Sequence, residues 1–293
     1  MTLPVKLKVH AALVGVAFFF SLNYIISKLG MRELAPLAFA WMRVAGGAIA
    51  LAVIARNEPP LARDDARRVI SWGFLGVAIN ATLFLVGLSM TTVQAASVLI
   101  TSIPVFALGA AIALGRERLS WQRACGIALA CAGALLVVGG ESIAGTWRSA
   151  AGALMIVVNC LSYSLYLVIS KPYMTRLSAR AVVARMFAVG ATVLLPVCAW
   201  TLWHQQWRAV SPRGWLALAL VIAGPTVGAY LLQAWALRHA EASMVAAYTY
   251  VQPVLATTLG AVFLGEEIRS VVLVAAALIF AGVWLAGRAA PMM

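Results

Sequence analysis

Ten apolar runs alternate with short polar segments along the chain. A run of about 20 apolar residues is long enough to cross a bilayer as a helix. The pattern predicts spans at about residues 9–29, 35–55, 69–90, 94–115, 120–139, 149–171, 180–203, 214–237, 242–264 and 270–288. The fold class expected is therefore an all-α polytopic membrane protein of ten transmembrane helices. The first run follows MTLPVKLKVH and resembles a signal peptide in outline. No small-residue cleavage site stands out and nine further runs follow, so it reads as the first span.

One stretch occurs twice. SVLITSIPVFALGAAIALGRERL (97–119) aligns without a gap on AAYTYVQPVLATTLGAVFLGEEI (246–268), placing Pro104 on Pro253 and Glu117 on Glu266. Proline removes a backbone donor and breaks or kinks the helix that holds it. In lipid that is tolerated where neighbours or water satisfy the freed carbonyl. Matching breaks in two halves point to a binding site at the repeat interface. A second match joins FSLNYIISKLG (20–30) to YSLYLVISKPY (163–173), placing Asn23 on Tyr166 and Lys28 on Lys171.

Five spans per half is an odd number, so the second half enters the membrane upside down. The loops after the two prolines agree: GRERLSWQR is basic and GEEIRS is net acidic. The expected organisation is a first five-helix repeat at 1–140, an external linker at 141–148 and a second, inverted repeat at 149–293, all forming one transport unit around a central cavity. The linker region GGESIAGTW is rich in Gly and small polar residues.

Charge sharpens the topology. The net charge of +13 suggests nucleic acid at first sight. The Lys and Arg residues lie in short loops between apolar runs, which excludes that reading and fits orientation by positive loops. With both termini in the cytoplasm, 14 of the 22 basic residues fall inside and six outside, with Arg43 and Arg185 within spans. Only 11% of residues are charged, against about 25% in a soluble domain. The four cysteines all lie in apolar runs without metal spacing and read as small buried hydrophobes.

Ten helices in two groups of five, a Pro followed 13 residues later by Glu, and a next helix carrying Gly126 and Gly133 resemble the EamA-type branch of the drug/metabolite transporter superfamily. Within it the chain is most similar to aromatic and hydrophobic amino-acid exporters of bacterial inner membranes. The likeness covers nearly the whole chain, although its motif is loose. One departure is Arg116, which stands where the family has the Gly found here as Gly265. The resemblance implies a cavity lined by the first, third and fourth helices of each half, opening alternately to the two sides.

The polar and aromatic positions at helical spacing supply candidate site residues. The first span offers Phe20, Asn23 and Tyr24, followed on the same face by Ser27 and Lys28. The third offers Asn80 and Phe84, and the fourth Thr101 with Ser97 and Pro104. The sixth offers Tyr163 and Tyr166, flanked by Asn159, Ser162 and Ser170. The eighth offers Tyr230 and Gln233; the ninth offers Tyr250 and Gln252, with Ala246, Thr249 and Pro253. Pro104, Pro253, Gly224 and Pro225 are the expected bending points. Together these residues would wall a nearly uncharged hollow, suited to a neutral or zwitterionic solute with an apolar side chain. Each has a plainer reading as well, since a Ser or Asn in a membrane helix often bonds only a neighbouring helix. Lys28 and Lys171 at helix ends read as side chains reaching the interface. Arg43 lies deeper, and no partner for it is evident in the sequence.

Absences narrow the function. All nine carboxylates and all three histidines fall at helix ends or in loops, so a proton relay through the membrane centre is not expected. No Ser–His or paired-Asp arrangement lies at depth, which argues against an enzyme. No phosphate-binding GxxxxGK[ST] stretch is present. No cofactor and no metal site is expected. The partners implied are a small-molecule substrate and the lipid bilayer; no ATPase subunit is implied and the oligomeric state stays open. The expectation is an inner-membrane exporter of aromatic or hydrophobic amino acids. An exchanger of phosphorylated sugars or nucleotide sugars, or a drug efflux protein of the same fold, is the alternative. It would need Arg43, Lys28 and Lys171 to converge on an anion. A membrane scaffold or receptor is the third reading.

Overall fold

A computed structural model describes residues 5–116, 119–144, 146–174, 177–239 and 248–288. Glu117, Arg118, Gly145, Arg176, Glu241 and Ala246 lie outside the described residues, as does the side chain of Glu141; the predicted linker at 141–148 is helical at 141–144 and from Trp147. The described chain is helical at each of the ten predicted spans. These are α1 (Val5–Gly30), α2 (Pro36–Ile54), α3 (Arg63–Met90), α4 (Val93–Ala113) and α5 (Trp121–Ala144). They continue with α6 (Trp147–Met174), α7 (Ala179–His204), α8 (Pro212–Val221, Ile222–Gly228 and Ala229–His239), α9 (Val251–Leu264) and α10 (Ser270–Arg288). Eight of these are long and apolar enough to cross a membrane by length and composition alone. The protein is an all-α polytopic membrane protein.

Local chemistry sets the helix starts. Thr92, Ser178 and Ser211 each accept a hydrogen bond from an amide in the first turn of the helix they precede, satisfying groups the helix leaves free. Pro36 and Pro212 occupy first helical positions, where a missing N–H is harmless. Large apolar side chains such as Trp203, 86% exposed, face outward, as lipid allows.

Pro104 and Pro253 each fall in the first turn of a helical segment. α4 stops at Ile100 and restarts at Ile103, with Pro104 in the new first turn. Side-chain hydroxyls bond carbonyls on both sides of the break. Thr101 Oγ1 donates to Val98 O at 2.6 Å, Ser102 Oγ donates to Leu99 O at 2.6 Å, and Ser164 of α6 donates to Ile103 O at 2.9 Å. α9 follows a 3-10 turn at Tyr248–Tyr250, with buried Pro253 in its first turn. Both α4 and α9 are closed by a glycine with positive φ, Gly115 at 68° and Gly265 at 67°. Only glycine takes that conformation without strain. The apparent replacement of glycine by Arg116 is thus a one-residue slip, because Gly115 does the work of Gly265.

α3 and α8 share a different irregularity. Each contains a π-helical stretch, Phe74–Ile79 in α3 and Ile222–Gly228 in α8. The latter holds Gly224 and Pro225. Such stretches widen the turn and recur at functional sites.

The helices pair in a reciprocal pattern. α1 packs on α8 and α9, and α6 packs on α3 and α4; α2 lies along α7, and α5 along α10. Close glycine contacts exchange partners in the same way. A methyl group on Gly133 would stand 2.7 Å from Ile279, and one on Gly282 would stand 2.8 Å from Ala130 N. Likewise Gly47 abuts Thr226 and Phe187, while Gly190 abuts Val77 and Val44.

Candidate functional site

Five predicted side chains meet between α1, α6 and α8. The Phe20 and Tyr230 rings meet edge-on with centroids 6.2 Å apart. Tyr163 and Tyr166 lie 5.4 Å apart. The Tyr163 hydroxyl interacts with the Gln233 side chain and lies within electrostatic reach of the Tyr230 hydroxyl. Phe187 of α7, which the sequence pattern did not single out, closes on Tyr230 at 5.1 Å. Tyr166 is seated on Gly76 of the α3 π-stretch, where a methyl group would come within 2.8 Å of its ring. Phe20, Tyr163, Tyr230 and Gln233 are all half-buried.

The remaining candidates lie elsewhere. Tyr24 and Phe84 are buried against each other, edge-on at 5.4 Å, in an apolar cluster with Leu88 and Leu99. Asn23 accepts a hydrogen bond from Ser27 at 3.1 Å within α1. Thr101 spends its hydroxyl on the α4 break. Tyr250 packs edge-on against Phe280 of α10. Gln252 is buried beside Pro253. Gly224 faces the Phe19 ring, 3.0 Å from where a methyl group would stand.

Asn80 donates to Asn159 at 2.6 Å, and the Asn159 amide nitrogen is buried without a partner among the described residues. Asn80→Ala would leave Asn159 with both polar ends unmet. That costs about 1–3 kcal/mol, whereas replacing both asparagines by leucine removes the unmet groups altogether. Thermal unfolding in detergent should show a lower midpoint for Asn80→Ala and partial recovery in the Asn80→Leu, Asn159→Leu pair.

Ionic contacts close the two ends of the bundle. At one end Lys28 Nζ pairs with Glu266 at 2.5 Å and donates to Thr91 O at 2.9 Å. The same carboxylate accepts the Val93 amide at 2.8 Å and the Gln94 amide at 3.4 Å, which ties α9 to the start of α4. Glu33 accepts from the Ser211 amide and hydroxyl at this end. At the other end Glu58 binds Ser178 and Arg180, Arg68 stacks on Tyr173, and Arg116 donates to Val168 O. α2 separates the two groups, since Glu33 precedes it and Glu58 follows it. Arg116 and Glu266, which follow the two glycine-closed helices, therefore sit at opposite ends.

The bundle thus carries paired π-stretches and an aromatic cluster between helices of its two halves. The EamA-like transporter family model matches twice, over residues 7–139 and 150–288. The chain belongs to the EamA-like transporter family. This EamA-like transporter is 31% identical over 258 residues to the uncharacterized transporter YwfM of Bacillus subtilis, covering 85% of this chain and 83% of that one. It is 24% identical over 280 residues to the uncharacterized inner membrane transporter YedA of Escherichia coli, covering 90% and 86% of the two chains. A solved crystal structure superposes with a TM-score of 0.62 at 21% identity, covering 94% of this chain and 97% of that one, which speaks for the fold alone. The two matched stretches of this EamA-like transporter meet near the predicted linker.

Proposed function

We propose that this EamA-like transporter is a bacterial inner-membrane exporter of small zwitterionic solutes, with aromatic or hydrophobic amino acids as its substrates. The observation that carries this reading is the meeting of Phe20, Tyr163, Tyr230 and Gln233, half-buried, between helices of both matched stretches. Aromatic walls with amide and hydroxyl groups suit an apolar side chain beside a polar head. The phosphosugar alternative needs several converging cations. Lys28 is instead engaged by Glu266 at one end of the bundle, and Lys171 is exposed.

In this reading the two stretches are five-helix repeats inserted in opposite orientations, with both termini in the cytoplasm and the Lys28–Glu266 end outside. The reciprocal glycine contacts support a two-fold relation between them. Lys171 occupies the position of Lys28 in the second repeat and has no partner among the described residues. The Lys28–Glu266 pair is then a contact that closes the outer end. Alternating access would break this contact, with bending near Pro104, Pro253 and Gly224–Pro225.

The described carboxylates Glu33, Glu58, Asp64, Asp65, Glu266 and Glu267 all lie at helix ends or in loops. We therefore read transport as independent of a buried carboxylate relay. Counterflow into proteoliposomes should accumulate labelled phenylalanine, tyrosine or leucine with no proton gradient imposed. Tyr230→Ala should lower that uptake by about tenfold, from loss of an aromatic contact, at unchanged protein abundance. Uptake only under an imposed gradient, or competition by phosphosugars in place of amino acids, would refute the reading.

A further inference from the structure

Arg43 is 7% exposed near the middle of α2. Its Nε donates to Thr226 Oγ1 in the α8 π-stretch at 2.9 Å. Thr226 is neutral, and no acidic side chain pairs with Arg43 among the described residues. A cation at this depth is expensive unless something compensates it. Its two Nη groups have no protein partner among the described residues, yet neither counts among the buried polar atoms sealed from solvent. One edge of the guanidinium is thus oriented by Thr226 while the other stays free.

The fold itself does not require this charge. Gly47 abuts Thr226 and Phe187, whereas Gly190 abuts Val77 and Val44. Under the exchange that relates these contacts, Arg43 falls on Met186 and Thr226 on Val77, both buried and apolar. The same junction between helices is therefore made once with Met and Val and once with Arg and Thr. Packing is served equally by both. Only the Arg–Thr version can hold an anion.

Tyr230 lies one turn beyond Thr226 on α8 and close to Arg43. Its ring meets Phe20 and Phe187. Arg43 thus borders the aromatic cluster.

We propose that Arg43 binds the carboxylate of the transported solute through its two Nη groups, while the aromatic cluster takes the side chain. A planar guanidinium matches a carboxylate with two parallel hydrogen bonds, and a lysine does not. The inference rests on the amino-acid reading for its substrate, but its anion chemistry can be tested separately.

The test measures binding to purified protein by thermal stabilisation, with L-phenylalanine, L-phenylalaninamide and 3-phenylpropionate as probes. The key variant is Arg43→Met with Thr226→Val, which reproduces the Met186–Val77 junction and so preserves folding. Wild type should bind both carboxylates and discriminate against the amide. The double variant should lose about tenfold or more in affinity for both carboxylates, the worth of a charge-assisted hydrogen bond, with the amide unchanged. Arg43→Lys should fall between. Binding of 3-phenylpropionate that is equal in wild type and the folded double variant, or absent from both, overturns the inference. If wild-type vesicles fail to move phenylalanine while 3-phenylpropionate binding still depends on Arg43, the amino-acid reading falls and the anion site stands.

Discussion

Glu266→Gln is expected to loosen the Lys28 end of the bundle and to cut counterflow about tenfold. The carboxylate has two tasks there. It neutralises Lys28 at 2.5 Å, and it accepts the Val93 and Gln94 amides that open α4. Gln keeps an oxygen for the amides and loses the charge. The side chains are 24% and 13% exposed, so the pair is worth less than the 3–5 kcal/mol of a fully buried one broken on one side. A loss of about 1–3 kcal/mol is reasonable. Glu266→Ala also removes the cap and should lose about 1 kcal/mol more. Lys28→Met should resemble Glu266→Gln, and the two combined should restore part of the stability, because no lone charge is left. The readout is labelling of a cysteine at Ala95, which is fully buried just inside the contact, in a background lacking the native cysteines. Labelling from the Glu266 side should rise in each single variant. Unchanged labelling with unchanged counterflow would mean that the ion pair does not hold this end shut.

The hydrophobic pattern made the helices legible because lipid demands one signal, a run of apolar residues long enough to span. It also exposed Pro104 and Pro253, since proline changes the backbone wherever it falls. What it did not disclose were contacts between distant parts of the chain. Lys28 was read as a side chain reaching the interface; its partner lies 238 residues away, at a distance no local pattern reports. Arg43 drew attention by its depth, but Thr226 did not, because a threonine after Gly-Pro looks like a turn residue. The π-stretches have no sequence signature beyond Pro225, and the one in α3 has none at all. Candidates chosen by helical face were sorted only by packing: Tyr24 and Tyr163 sit at equally persuasive positions, yet one is sealed against Phe84 and the other borders Tyr230 and Gln233. The glycine slip at Gly115 was hidden because an ungapped alignment fits the prolines and must then misplace the helix end.

Gly282→Ala and Gly133→Ala are expected to be damaging small changes outside the site. α5 and α10 approach closely enough that backbone meets backbone. A methyl group on Gly282 would lie 2.5 Å from Gly126 O, and one on Gly133 would lie 2.9 Å from Ala275 O. A backbone carbonyl cannot turn aside as a flexible side chain can, so the helices must separate. Association in lipid rests on such close packing of small residues, and overpacking costs about 1–3 kcal/mol per site. Gly139 on the same α5 has open space around its added methyl group. There Ala should be neutral or stabilising by up to about 1 kcal/mol, since Ala is the better helix former. Thermal midpoints and monodispersity in detergent should therefore drop for the first two variants and hold for Gly139→Ala. The double variant at Gly133 and Gly282 should lose less than the two single losses added together, because one displacement of α10 from α5 relieves both clashes. Strict additivity would show that the two contacts yield independently.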